Sequence, residues 1–383
     1  MENYVIGLRR ELHRNAELAF DLEKTLAIVR RELDKAGIEY TERFGKSSIV
    51  ATINPEKDHF TIGIRADMDA LPIFECNDVD YKSETDGIMH ACGHDAHTAV
   101  ALATAIHINS MRDKINCRVK FLFQAAEEAP PSGAKLMVAD GVMDDIDCII
   151  GLHVESACDA GNIAVLRGPV SANSNGFVLR FLGKSAHAAD QHDGVDAISM
   201  AVQAYSQIEI MLAKQISAKI PVIFNVGSFH GGSVNNIVCD KCEMYCTLRT
   251  LTDDTADIVI KKIKKICENV ADSVGGAFEY EHNKAYPVVV NNDVMYDRMY
   301  RSVVNVLGED CVKSHTRGMG GEDFSYFAQK KPAMFIRLGI RNEGAGIINP
   351  VHTERFNIDE SALAVGVKVF TQFVLDNMNG IEF

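Results

Sequence analysis

Arg118-Val119-Lys120-Phe121-Leu122-Phe123-Gln124-Ala125-Ala126-Glu127-Glu128 runs from a short β-type segment into two adjacent carboxylates, and the fold is read outward from it. Residues 118–123 are too few for a typical helix and rich in branched and aromatic side chains. A helical pattern precedes them at 95–111 and another follows at 133–140, after which 147–152 is again strand-like. Strands alternating with helices predict an α/β fold in which helices cover a mainly parallel sheet. Further out, 48–53 and 60–65 add strands, and residues 4–36 carry helical periodicity through Leu8, Leu12, Leu26, Val29 and Leu33. A late strand at 333–338 and a helix at 361–377 resume the rhythm.

The middle of the chain reads differently. Gly168-Pro169-Val170-Ser171-Ala172-Asn173-Ser174-Asn175-Gly176 is rich in breakers and small polar residues, which predicts a hinge. Beyond it come a strand at 177–182, a helix at 195–212, strands at 222–226 and 243–249, a helix at 253–274 and a strand at 277–281. That β-α-β-β-α-β order is a ferredoxin-like α+β layer. The expected organisation is a discontinuous domain, 1–172 with 288–383, carrying an inserted domain at 173–287.

Chemistry-bearing side chains gather where the strands of the larger part stop. The segment 118–123 leads to Glu127 and Glu128, 147–152 to His153, 60–65 to Asp67 and Asp69, and 333–338 through a glycine-containing loop to His352. Ligands of open α/β sheets bind beyond the carboxyl ends of the strands, so these side chains are expected at one edge. His90-Ala91-Cys92-Gly93-His94-Asp95-Ala96-His97 adds Cys92 and His94, two apart and on one side of an extended segment. Thiolate and imidazole suit borderline-soft divalent metals such as zinc. Alone, the Cys-x-His pair also fits a buried cysteine beside helix-capping residues, and the Glu-Glu pair a solvated loop. Of two neighbouring glutamates, one can ligate metal while the other serves as general base. Two divalent ions against one thiolate (Cys92) and one carboxylate (Glu128) leave positive charge, which favours a bound hydroxide and an anionic substrate. That hydroxide would attack a polarised carbonyl, with Glu127 passing the proton to the leaving nitrogen.

Several segments together resemble the M20 metallopeptidase family: Gly63-Ile64-Arg65-Ala66-Asp67-Met68-Asp69-Ala70-Leu71-Pro72, His90–His97, Phe123–Glu128, Gly151-Leu152-His153, Gly232–Asn236, Gly320-Gly321-Glu322-Asp323-Phe324-Ser325 and His352-Thr353-Glu354-Arg355-Phe356. The similarity is to the branch of hippurate hydrolases, N-acyl-amino-acid deacylases, N-acetyldiaminopimelate deacetylase and auxin-conjugate hydrolases, and it runs from Leu12-His13 to Asp359-Glu360. The resemblance implies two divalent metal ions per subunit, Zn2+ or Mn2+ with Co2+ or Ni2+ as alternatives. Their implied ligands are Cys92, His94, Glu128, His153 and His352, with Glu127 as general base. It also implies that 173–287 is a lid and dimerisation domain of a homodimer or higher homo-oligomer. On that domain His187 would stabilise the oxyanion, while Asn236 and Arg249 would hold the substrate carboxylate or amide. Read without the family, His187 caps a turn, Asn236 sits in one and Arg249 is a surface charge. Asp67, Asp69 and Asp95 are expected to hydrogen-bond the ligand histidines. The chain departs from the family pattern at Ala16, at Asn236-Ile237-Val238-Cys239 and at Gln191-His192, none of them an implied ligand.

Composition narrows the partners. The chain has 383 residues, 47% hydrophobic and 24% charged, with 39 Lys+Arg against 53 Asp+Glu and a net charge of −14. Such an acidic balance argues against nucleic-acid or anionic-membrane binding. Ten cysteines behind a start without leader pattern predict reduced thiols and a cytoplasmic location. Cys242, Met244, Cys246 and Leu248 alternate as core residues of a strand, and Lys261-Lys262-Ile263-Lys264-Lys265 reads as a solvated helix face. The expected activity is cleavage of the amide bond of N-acyl (acetyl, benzoyl or similar) amino acids. A dipeptidase or aminoacyl carboxypeptidase on the same site is the alternative. Two further readings are a thiol hydrolase using Cys92 with His94 or His97 as base, and a non-catalytic ligand-binding protein.

Overall fold

The computed structural model describes residues 1–314 and 317–383. The chain divides into two compact units: Met1–Val170, Val289–Thr316 and Asp323–Phe383 form the first, and Ser171–Val288 with Arg317–Glu322 the second. The borders read from sequence at 172/173 and 287/288 left 317–322 with the larger part. The structure groups that strip with the second unit, where the Ala172 N–H donates to the Gly320 carbonyl and Arg249 Nη1 to the Met319 carbonyl.

In the first unit the N-terminal periodicity resolves into two helices, α1 (Glu2–Arg14) and α2 (Glu23–Ala36). The break has a local cause: the Glu17 carboxylate accepts from the Lys24 and Thr25 N–H groups and so satisfies the start of α2. Strands β1 (Glu39–Thr41), β2 (Ile49–Ile53) and β3 (Thr61–Asp67) lead to α3 (His94–Ser110). Then follow β4 (Arg118–Gln124), α4 (Gly133–Ala139), β5 (Cys148–Asp159), β6 (Ile163–Ala164) and β7 (Gly168–Pro169). The helix α3 is buried along most of its length, and its alanines at 96, 99, 101, 103 and 105 let it lie close to the sheet.

The second unit holds β8 (Asn173–Leu182), α5 (Ala197–Gln215), β9 (Val222–Gly231), β10 (Lys241–Thr250), α6 (Asp253–Ser273) and β11 (Ala277–Tyr286). Its antiparallel sheet has the order β11-β8-β10-β9. The expected hinge at 168–176 is mostly strand, because its polar residues are satisfied within the sheet. The Asn173 side-chain oxygen accepts from the Thr250 N–H and hydroxyl, and the Asn175 side-chain oxygen pairs with His282 Nε2. Cys242, Met244, Cys246 and Leu248 all point into this unit's core.

The chain returns to the first unit with β12 (Val290–Asn291), α7 (Asp293–Leu307), β13 (Val312–Lys313), α8 (Ser325–Ala328), β14 (Ala333–Arg341) and α9 (Ser361–Asn377). Its large sheet runs β1-β2-β4-β3-β5-β14-β6-β13, with β4, β3, β5 and β14 mutually parallel. The β3–β5 ladder stops at Arg65–Gly151, whereas β3–β4 continues to Asp67–Gln124. Beyond that point the three strands carry their side chains toward one edge.

Candidate metal centre

Cys92 and His94 flank Gly93, which begins α3 with φ 85°. A Cβ at Gly93 would lie 2.5 Å from Val154 Cγ2, so both backbone angle and space demand glycine. Ala126 (φ 51°) and His352 (φ 64°) also occupy the left-handed region. Such conformations cost free energy and persist only where their surroundings fix them. At Ala126 the turn is tied on both sides, its N–H donating to the Ala19 carbonyl and its carbonyl accepting from Gly133. At His352 the N–H donates to the Ala91 carbonyl at 2.7 Å, which joins the late loop to the segment carrying Cys92.

The five implied ligands belong to the first unit, and the structure brings them together. Cys92 Sγ lies 3.3 Å from His153 Nε2 and 3.3 Å from His352 Nε2. His352 Nε2 lies 3.1 Å from Glu128 Oε1. Cys92, His94 and His153 form one compact donor group, Cys92, Glu128 and His352 a second, and His94, Glu127 and Glu128 a third. The groups share members, so the donors line one continuous site.

Unsatisfied atoms show that these donors fit a metal. Both ring nitrogens of His94 are buried with no hydrogen-bond partner among the described residues. Burying polar atoms without partners is costly, and a divalent cation would remove that cost. The His153 Nδ1–H donates to the Val154 carbonyl at 2.7 Å, which leaves Nε2 with a free lone pair. Burial pushes His153 well below the usual histidine range, so the ring is neutral as ligation requires. One thiolate, three imidazoles and a carboxylate are a donor set for a borderline-soft divalent ion.

Of the surrounding carboxylates, Asp67 and Asp69 stand beside the ligand His94 as expected, Asp69 Oδ1 at 3.4 Å from Nδ1 and Asp67 Oδ2 at 3.6 Å from Nε2, and Asp95 does not. Asp69 accepts the N–H of Glu127 at 2.9 Å and of Glu128 at 3.0 Å, so one side chain fixes both glutamates. Asp67 Oδ1 accepts from His97 Nδ1 at 2.6 Å, and His97 Nε2 accepts from the Val154 N–H at 3.0 Å. Both nitrogens of His97 are thereby engaged, and the ring is unavailable as a base for Cys92. Asp95 does not face a ligand histidine. It pairs with Arg9 and His13 of α1 and with the Ala96 N–H, so it fastens α3 to α1. Arg65, Gln124 and Asp323 were not singled out as site residues from the sequence. A lone arginine in the otherwise buried strand β3 was the available signal, since buried charges are rare unless paired.

The remaining sequence-derived residues lie on the second unit. His187 is exposed and its Nδ1 accepts from the Ala189 N–H. It neighbours Asn236 through the 187–237 bridge and the bond from the Ala188 N–H to the Asn236 carbonyl. Arg249 stands near the far end of β10 and donates to the Met319 carbonyl.

Comparison with known proteins agrees with this arrangement. Residues 63–376 match Peptidase family M20/M25/M40. Thermostable carboxypeptidase 2 of Saccharolobus solfataricus is 34% identical over 369 residues, covering 96% of this chain and 93% of that protein. The N-acyl-L-amino acid amidohydrolase of Geobacillus stearothermophilus is 36% identical over 289 residues, 76% of this chain and 78% of that one. Among solved structures, the YXEP protein of Bacillus subtilis, described as a dinuclear metal-binding peptidase from the M20 family, superposes with a TM-score of 0.85. It is 28% identical and covers 98% of this chain and 97% of its own. The chain therefore belongs to peptidase family M20/M25/M40 and is a hydrolase of that family.

Proposed function

We propose that this chain hydrolyses the amide bond of N-acyl amino acids, with Glu127 as general base and Cys92, His94, Glu128, His153 and His352 holding two divalent ions. The observation that carries the reading is the convergence of these donors, from four chain segments, beside a second glutamate that is itself held in place. Two bound ions, Zn2+ or Mn2+ with Co2+ or Ni2+ as alternatives, would acidify a water and polarise the amide carbonyl. Glu127 is buried, anchored through its own N–H to Asp69, and its Oε1 accepts the Asp323 N–H at 3.3 Å. In that position it would take the water's proton and hand it to the departing nitrogen. The thiol-hydrolase reading fits less well, because burial pushes the Cys92 thiol up, away from the thiolate a nucleophile needs.

The proposal extends to the second unit, read as a lid and dimerisation domain. His187 would stabilise the oxyanion, and Asn236 and Arg249 would hold the substrate carboxylate or amide. Within that unit the hairpin of His187 adjoins the Lys241 end of β10, since the Gly183 N–H donates to Asp240. Arg249 lies eight residues further along, roughly 26 Å at 3.3 Å per residue. One small substrate would not touch both from a single subunit, which supports a homodimer in which the partner copy supplies one of them. An exposed apolar face at Ile198, Val202 and Tyr205 on α5 suits such an interface. Ten free thiols fit a reducing compartment, and we place the reaction in the cytoplasm.

The deciding experiment is a panel of N-acetyl and N-benzoyl amino acids and dipeptides, assayed after reconstitution with single metals. The N-acyl amino acids should be cleaved fastest. Faster cleavage of dipeptides would favour the peptidase reading that similarity to the carboxypeptidase supports, and no turnover of any compound would sink both. Mixing His187→Ala with Glu127→Ala subunits tests sharing, and recovered activity is the expected result.

A further inference from the structure

Behind Glu127 lies a buried polar network that the proposed reaction leaves without a part. Arg65, 1% exposed inside β3, extends all three arms of its guanidinium. Nε donates to Gln124 Oε1 at 2.9 Å, Nη1 to Asp67 Oδ2 at 2.6 Å and Nη2 to Asp323 Oδ1 at 2.5 Å. The other oxygen of Asp323 accepts from Gln124 Nε2, the Ser132 hydroxyl and the Ala134 N–H. The Asp323 backbone N–H, in turn, donates to Glu127 Oε1. On its opposite side Arg65 fixes Asp67 Oδ2, and that same oxygen lies 3.6 Å from His94 Nε2.

We propose that Arg65 is a positioning residue for hydrolysis, acting on Glu127 through Asp323. This rests on the reading of Glu127 as general base. A carboxylate has several rotamers, and a base off by about 1 Å loses on the order of a hundredfold in rate. Asp323 sits on a turn, and its two side-chain oxygens are taken up by Arg65, Gln124, Ser132 and Ala134. What it supplies is a backbone N–H at a fixed place, which requires its side chain to be pinned. Arg65 does the pinning from a rigid strand, and its planar fork reaches both Asp323 and Gln124 at once. Lysine keeps the charge but not the fork.

The test is a double-mutant cycle on the full chain reconstituted with Zn2+ or Mn2+, using N-acetyl-L-alanine and N-benzoylglycine as substrates. Arg65→Lys should lower kcat about 10- to 100-fold with KM within about threefold and metal content unchanged. In a Glu127→Gln background the same change should cost less than about threefold, because the group it positions is already gone. Losses that multiply across the two backgrounds, or a raised KM at unchanged kcat, would overturn the proposal. Should Arg65→Lys not fold, Gln124→Met removes one brace of Asp323 without stranding a charge. It should lower kcat several-fold with the same non-additivity, and additive losses there would equally refute the idea. A fully active Glu127→Gln, or a wild type inert on both substrates, would instead remove the general-base reading, and the inference with it.

Discussion

Replacing Arg9 by methionine should destabilise the first unit far more than an exposed Arg→Met change would. Arg9 and Asp95 are both fully buried, with Arg9 Nε 2.8 Å from Asp95 Oδ2. Removing one partner of such a pair leaves an uncompensated buried charge and costs about 3–5 kcal/mol. Part of this is offset, because Asp95 keeps its 2.7 Å contact with His13 Nδ1 and its bond from the Ala96 N–H. It also stands in the first turn of α3, where the helix dipole favours negative charge by roughly 1 kcal/mol. A net loss of about 2–4 kcal/mol remains, a shift of roughly 30- to 1000-fold in the unfolding equilibrium. Urea denaturation of the metal-free chain, followed by circular dichroism, measures it as a lowered midpoint at unchanged slope. The double variant Arg9→Met/Asp95→Leu should recover part of the loss, since a hydrophobic pair of similar volume needs no compensation. An Arg9→Met protein within 1 kcal/mol of wild type, or a double variant no more stable than the single one, would refute the reasoning.

Three further outcomes are expected. At Gly133 a Cβ would lie 1.8 Å from the Ala125 carbonyl oxygen, so Gly133→Ala must displace the turn two residues before Glu127. Its melting temperature and kcat should both fall, by on the order of 3 kcal/mol in stability, and an unchanged kcat would disconnect that turn from the reaction. Burial alone would raise the Glu32 carboxyl, but bonds from Lys35, Tyr4 and Arg31 outweigh it and bring it down to about 2. A depressed folded-state pKa stabilises fully above the unfolded value, ~4.3, and the gain is lost as pH falls toward 2. Glu32→Gln should therefore melt lower than wild type at pH 7, with the gap closing between those limits; a constant gap counts against it. Chelation should abolish activity and lower the melting temperature, because both ring nitrogens of His94 are then left buried without hydrogen-bond partners. Iodoacetamide should alkylate Cys92 in the metal-free chain and block its recovery when metal is restored while leaving the loaded enzyme active, and inactivation of the loaded enzyme by alkylation at Cys92 would favour thiol chemistry.

Local pattern determined much of this protein. The strand at 118–124, the helix from 94 and the β-α-β-β-α-β order of the second unit follow from short-range periodicity, which the backbone converts directly into elements. The donor residue types were legible too, since thiol, imidazole and carboxylate side chains stand where the parallel strands end. Three kinds of fact depended on tertiary structure. The polar run at 173–176 became strand because Thr250 and His282, 77 and 107 residues away, satisfy its side chains. Asp95 turned toward Arg9 and His13 instead of its neighbour His94, because α1 packs on α3 and brings a cation to it. Arg65 found Asp323, 258 residues distant, and so joined the floor of the site to the loop that meets Glu127. Periodicity reports which face of an element is apolar, but the partner of a buried charge is chosen by whichever segments the completed core presses against it.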